Sequence, residues 1–176
     1  MPNWCENDLT ISGPTEDVER LIAAVRPIDD FTAVPGRPIE TSDEERSAFS
    51  LDRIVTMPAA LRETVSPRDE PNDWYTWALG HWGTKWDVRA RLVRDETRDG
   101  SRVLLYVFDS AWSPPHAAIA ALAARYPTCA FSHEFHEGGN RFAGTYEYAD
   151  GELQEREDRD YVEPCEDDNE GAVTDE

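Results

Sequence analysis

The 176-residue chain sets 37 acidic against 17 basic side chains, a net charge of −20, and is 39% hydrophobic. A chain of this length builds one domain with its own core. Its overall acidity repels nucleic-acid phosphates and anionic membranes and favours basic partners.

Taken in order, Cys5, Asn7, Leu9 and Ile11 alternate with Glu6, Asp8, Thr10 and Ser12, which predicts a first strand with one buried face. Thr15 is the expected N-cap of a helix whose first turn holds Glu16 and Asp17, both favoured by the helix dipole. Val18, Leu21, Ile22 and Val25 form its apolar stripe, and Pro27 stops it. An insertion follows over about 27–48, with Pro27, Pro35, Gly36, Pro38 and a polar run from Glu40 to Ser47. Phe49 to Thr56 alternates like a short strand; Pro58 then opens a short helix through Leu61 and Glu63. Ser66 to Asp73 is a polar loop. Trp74, Trp77, Ala78 and His81 are helically spaced and lead into Trp82-Gly83-Thr84-Lys85-Trp86-Asp87.

Beyond that motif the chain turns to β. Val88 to Asp95 and Arg102 to Asp109 predict two strands around Thr97-Arg98-Asp99-Gly100, with Asp-Gly as the hairpin signal. Val103 to Phe108 is apolar on both faces, as in a central strand. Ser113, followed by Pro114-Pro115, is the expected cap of a second amphipathic helix through Ile119, Leu122, Ala123 and Tyr126. Thr128 to Glu137 is a strand with Cys129, Phe131, His133 and Phe135 on one face, and Phe142 to Tyr148 returns beside it after Gly138-Gly139-Asn140.

The order is β-α-(insertion, β)-α-β-β-α-β-β. Without the insertion it is the α+β ferredoxin-like split βαβ plait, an antiparallel sheet with helices on one face, extended by a C-terminal hairpin strand. This domain is expected over 1–151. Nothing after Gly151 shows a period, so 152–176 is expected to be a disordered acidic tail. Asp150 to Glu176 holds 13 acidic residues against two arginines, a net −11, yet the rest of the chain still carries −9. A salt-adapted host, a GC-rich genome or imitation of DNA would each produce this balance. Cys5, Cys129 and Cys165 are too few and too far apart for a disulfide frame, and Met-Pro-Asn-Trp-Cys-Glu is no secretory signal, so a reduced, cytoplasmic setting is expected.

Several signposts recur in one known group. Pro2-Asn3-Trp4-Cys5-Glu6-Asn7, Trp82 to Asp87, Ala111-Trp112-Ser113-Pro114-Pro115, Phe135-His136-Glu137-Gly138-Gly139 and Phe142-Ala143-Gly144 come in that order. Together they resemble the YubB-like ferredoxin-like domain family of phage and conjugative-plasmid proteins, over residues 2–151. The resemblance implies the same fold and a mobile-element origin. It implies no activity and no site residues.

The residues themselves offer several chemistries. Lys85 is the only lysine beside sixteen arginines. Over an indole and facing Asp87, it would complete a tryptophan-lined structural corner. With Asp87 and Asp109 it would instead be an acid/base site of a small enzyme, the third reading. His133, Glu134, His136 and Glu137 lie close together, but on a strand His133 and Glu137 share one face and Glu134 and His136 the other. HExxH spacing is absent, so neither metal nor cofactor is expected. Cys5 reads as a small core hydrophobe and Ser113 as a cap, so no nucleophile is assigned. Arg89, Arg91, Arg94, Arg98 and Arg102 gather on one hairpin and carry the alternative reading, nucleic-acid contact. The leading expectation is an acidic protein-binding module, an inhibitor that imitates DNA and occupies a basic, nucleic-acid-handling host protein. Its platform would be Trp82, Thr84, Lys85, Trp86, Asp87, Trp112, Glu134 and Glu137.

Overall fold

The structure is a computed structural model and describes residues 3–27, 48–64 and 73–162. Strand β1 (Trp4–Pro14) leads into helix α1 (Thr15–Val25). Three short helices follow, α2 (Leu51–Ile54), α3 (Ala59–Arg62) and α4 (Trp74–His81). Strands β2 (Arg91–Arg98) and β3 (Ser101–Ala111), helix α5 (His116–Arg125), and strands β4 (Ala130–Glu137), β5 (Phe142–Ala149) and β6 (Glu152–Asp160) complete the chain.

All six strands form one sheet in the order β2-β3-β1-β4-β5-β6, with every neighbouring pair antiparallel. The first four have the strand order of the ferredoxin-like plait, and β5 and β6 extend it beyond β4. On the helix-covered face, Cys5, Asn7, Leu9 and Ile11 of β1 lie between Leu104, Tyr106 and Phe108 of β3 and Phe131, His133 and Phe135 of β4, all buried. Val18, Leu21 and Val25 of α1 and Ala118, Ile119, Leu122 and Ala123 of α5 close this core. The other face of the sheet has no helix in the described chain.

Several expectations need correction. Pro14, not Thr15, is the N-cap of α1; Thr15 Oγ1 is buried without a hydrogen-bond partner. The alternation of Phe49 to Thr56 hides a helix: Ser50 is extended, and the Asp87 carboxylate takes the Leu51 N–H at 2.6 Å, capping α2 from 36 residues away. Arg125 Nη2 holds the other end through Ile54 O at 2.5 Å. A tertiary cap at each end overrides the local pattern. The second strand is shifted to 91–98 and all its residues are exposed, because it is a sheet edge. Ser113 does not cap α5, whose N-cap is Pro115; its hydroxyl donates to Gly83 O at 2.7 Å.

The largest correction concerns the tail. Residues 152–160 are strand β6, joined to β5 by Asp150 (φ 54) and Gly151 (φ 79), a two-residue turn with both residues left-handed. The same geometry at Asp99 (φ 52) and Gly100 (φ 81) makes the expected β2–β3 hairpin. Residues 28–47, 65–72 and 163–176, which include most of the expected insertion, the polar loop, Cys165 and the end of the acidic tail, lie outside the described residues. Among the described residues no helix is long and apolar enough to cross a membrane.

Candidate functional site

The tryptophan motif forms a corner stitched to the end of β3. Trp82 is fully buried and its Nε1 donates to Val55 O at 2.8 Å. Gly83 stands at φ +88, and a Cβ there would meet His116 N at 3.0 Å and Pro114 O at 3.2 Å. Thr84, also fully buried, donates through Oγ1 to Ala111 O at 2.9 Å. With the Ser113–Gly83 bond and Ser110 Oγ donating to Ser113 O at 2.9 Å, these contacts fix the turn after β3. Trp112 is thereby held at φ +71 and 44% exposed, a conformation that bulky residues rarely adopt unless their surroundings impose it.

Lys85 does lie over an indole, with Nζ 4.4 Å from the Trp86 ring centroid and 5.7 Å from that of Tyr75. It does not pair with Asp87, which is buried and turned inward. Asp87 accepts from Ser50 Oγ at 2.5 Å, Leu51 N at 2.6 Å and Val88 N at 2.8 Å. Asp109 stands on the open face of β3. Asp87 and Asp109 line one groove, but Lys85 does not line it, so the three residues of the acid/base reading do not converge.

Under the sheet, His133 is fully buried with Nε2 3.0 Å from Asn7 Oδ1. The Asn7 amide donates to Cys5 O, Phe108 O and Ser110 Oγ, so its oxygen faces the imidazole and His133 Nε2 is the donor. Burial pushes His133 down to about 3, with His116 adding to the effect. His116 is pushed down to about 4, mainly by burial and then by Arg156. Its ring stacks on Tyr146 at 4.6 Å. Burial likewise drives the Cys5 thiol up to about 12, which keeps it protonated and inert. Glu137 is buried and accepts the Gly139 and Asn140 N–H groups at 2.6 Å each, so it shapes the turn instead of facing a partner. Glu134 is exposed on the opposite face, as strand alternation requires. Among the described residues no three His, Cys, Asp or Glu side chains are grouped to hold a metal ion.

The hairpin arginines are largely neutralised by their neighbours. Arg94 pairs with Glu96 at 2.7 Å, Arg102 with Asp95 at 2.7 Å and Arg98 with Asp99 at 3.5 Å. Arg89 and Arg91 line a groove at the β1–β3 side of the open face.

That open face holds what the sequence did not single out. Register places Glu6 opposite Asp109, Asp8 opposite Glu134, and Glu147 opposite Glu155, so three rungs carry carboxylates side by side. Like charges directly opposite in a sheet are destabilising. Some carboxylates elsewhere have arginine partners: Asp17 with Arg20, Asp52 with Arg62, Asp158 with Arg156. Among the described residues, no arginine or lysine nitrogen lies within 4 Å of Glu6, Asp8, Asp109 or Glu134; Glu6 has only His136, at 3.6 Å. The Asp109 carboxyl is held above the usual carboxylate range by burial and by Glu6, against the pull of Arg91. Grooves of about 480 Å³ and about 440 Å³ flank the Glu6–Asp8 ridge. The first is walled by Trp4 and Trp86, whose ring centroids are 6.1 Å apart; the second by His136 and Tyr161, stacked at 4.6 Å.

A family model described as the ferredoxin-like domain in Api92-like protein matches residues 81–174, more than half of the chain. The chain belongs to this family. The match begins at the tryptophan motif and runs through β6, so the last strand is part of the domain. Where the motifs resembled the YubB-like group, the family found is Api92-like, and the fold is the same. No curated protein matches the chain. Among solved structures it is similar to the crystal structure of protein Api92 from Yersinia pseudotuberculosis, at 13% identity and a TM-score of 0.54, over 92% of this chain and 99% of that one. At that identity the likeness concerns fold alone.

Proposed function

We propose that the protein is an acidic protein-binding module whose open sheet face docks on a basic, nucleic-acid-binding protein and occupies its phosphate-binding groove. The observation that carries this reading is the carboxylate ladder: on the open face Glu6 with Asp109 and Asp8 with Glu134 stand paired across neighbouring strands, like against like, with no arginine or lysine nitrogen within 4 Å among the described residues. A sheet that tolerates this repulsion when isolated gains when a cationic surface covers it. Spaced negative charges on a rigid sheet imitate a phosphate backbone, and the overall charge of −20 steers the encounter. The resemblance to YubB-like phage and plasmid proteins supports a setting in a mobile element, where such a decoy would disarm a host defence nuclease.

The test is capture from host lysate at low and high salt, using the full chain and an Asp8→Asn/Glu134→Gln variant. The reading predicts a basic nucleic-acid-binding protein recovered at low salt by the natural chain and depleted with the variant. Equal recovery by both proteins would overturn it.

A further inference from the structure

The open face also has a place suited to one kind of side chain. Trp4 is 50% exposed and stands on the same face of β1 as Glu6, two residues on, about 7 Å along the strand. Glu6 faces Asp109 across the rung, and all three line the 480 Å³ groove with Trp86 and Arg91. The indole pair already hosts one cation, since Lys85 lies 4.4 Å from the Trp86 ring, while Trp4 has no cation of its own among the described residues. Arg91 lines the groove, but no described ion pair joins it to either carboxylate.

We propose that this groove is a pocket for an arginine side chain of the docked protein, its guanidinium stacked on Trp4 and bridging Glu6 and Asp109. The proposal rests on the docking reading above and names the group recognised. A planar fork satisfies both demands at once: its face covers an indole while its N–H groups reach two carboxylates. A lysine ammonium can pair with the carboxylates but has no face to stack.

The test is isothermal titration of the full chain with three synthetic peptides, identical except for two positions that hold arginine, lysine or citrulline. Citrulline keeps the shape of arginine without its charge. The arginine peptide is expected to bind at least fivefold tighter than the lysine peptide, with citrulline binding lost. Trp4→Ala and Asp109→Asn should each weaken the arginine peptide about tenfold and erase the preference over lysine, with melting temperatures showing that both variants fold. Equal affinity for arginine and lysine, or no effect of Trp4→Ala and Asp109→Asn while Asp8→Asn/Glu134→Gln still weakens binding, would overturn the pocket and leave the docking face standing. No binding of any cationic peptide would overturn both. Self-association abolished by Trp4→Ala would assign the groove to a second copy and also overturn the proposal.

Discussion

Replacing Asp87 tests whether the tryptophan motif is built for architecture. Its buried carboxylate accepts three short hydrogen bonds, from Ser50 Oγ, Leu51 N and Val88 N, at 2.5 to 2.8 Å. Asp87→Ala leaves these donors without that acceptor, two of them backbone N–H groups in a dry environment. Hydrogen bonds to charged groups contribute roughly 1.5–3 kcal/mol each, and stranded donors cost about 1–3 kcal/mol. Solvent entry and relaxation of the four-residue α2 recover part of this, so a net loss of about 4 kcal/mol is expected. With a urea m-value of about 2 kcal/mol/M, the unfolding midpoint falls by about 2 M. Asp87→Asn keeps an acceptor oxygen but turns an NH₂ toward other donors, and should lose about half as much. The assay is urea unfolding followed by far-UV circular dichroism and tryptophan fluorescence, which should move together. An unchanged midpoint for Asp87→Ala would refute the reasoning and reopen a chemical role beside Lys85.

Four further outcomes follow from the same structure. Gly83→Ala forces a Cβ to 3.0 Å from His116 N at a left-handed φ, and should destabilise by about 2–4 kcal/mol in the same unfolding assay. His116 and His133 are neutral in the fold, with pKa values of about 4 and about 3 against 6.5 unfolded, so the unfolded chain binds protons first as pH falls. Stability is therefore full above pH 6.5 and declines below it, by about 2 kcal/mol per imidazole at pH 5, and His116→Gln should flatten that slope in midpoints measured from pH 7 to 5. Glu134→Gln removes a like-charge rung and should raise stability by a few tenths of a kcal/mol while weakening the docking contact, a split visible by melting and titration on one sample. Ending the chain at 151 removes β6 with its Tyr146–Asp158 hydrogen bond of 2.8 Å and bares the edge of β5, so it should lower the melting temperature and promote aggregation; ending it at 162 should do neither.

Much of the fold was legible because the elements that face the core announce themselves. The alternation of Cys5, Asn7, Leu9 and Ile11 and the stripe of Val18, Leu21 and Val25 are direct images of burial. Asp99-Gly100 marks its hairpin for the same reason that Asp150-Gly151 does, yet the second turn leads into a strand with no pattern of its own. Glu152 to Asp160 is an edge strand exposed on both faces, so it has no apolar period to read, only the turn before it. The helix at Leu51–Ile54 was hidden for a different reason. Its caps are Asp87 and Arg125, distant in sequence, and four residues show no helical period. The structural role of the tryptophan corner could be read from its composition, whereas the inward turn of Asp87 could not. The open-face ladder was half visible: Glu6 and Asp8 alternate with the core residues of β1, but their opposition to Asp109 and Glu134 depends on strand register, which no local pattern encodes.

The docking reading is tested most directly by competition. A basic protein captured at low salt is loaded with a fluorescent DNA duplex, and the full chain is titrated in while anisotropy is followed. The account predicts that the duplex is displaced, that higher salt weakens displacement, and that Asp8→Asn/Glu134→Gln displaces at least tenfold less well. A stable ternary complex that retains the duplex, or equal displacement by the variant, would contradict it.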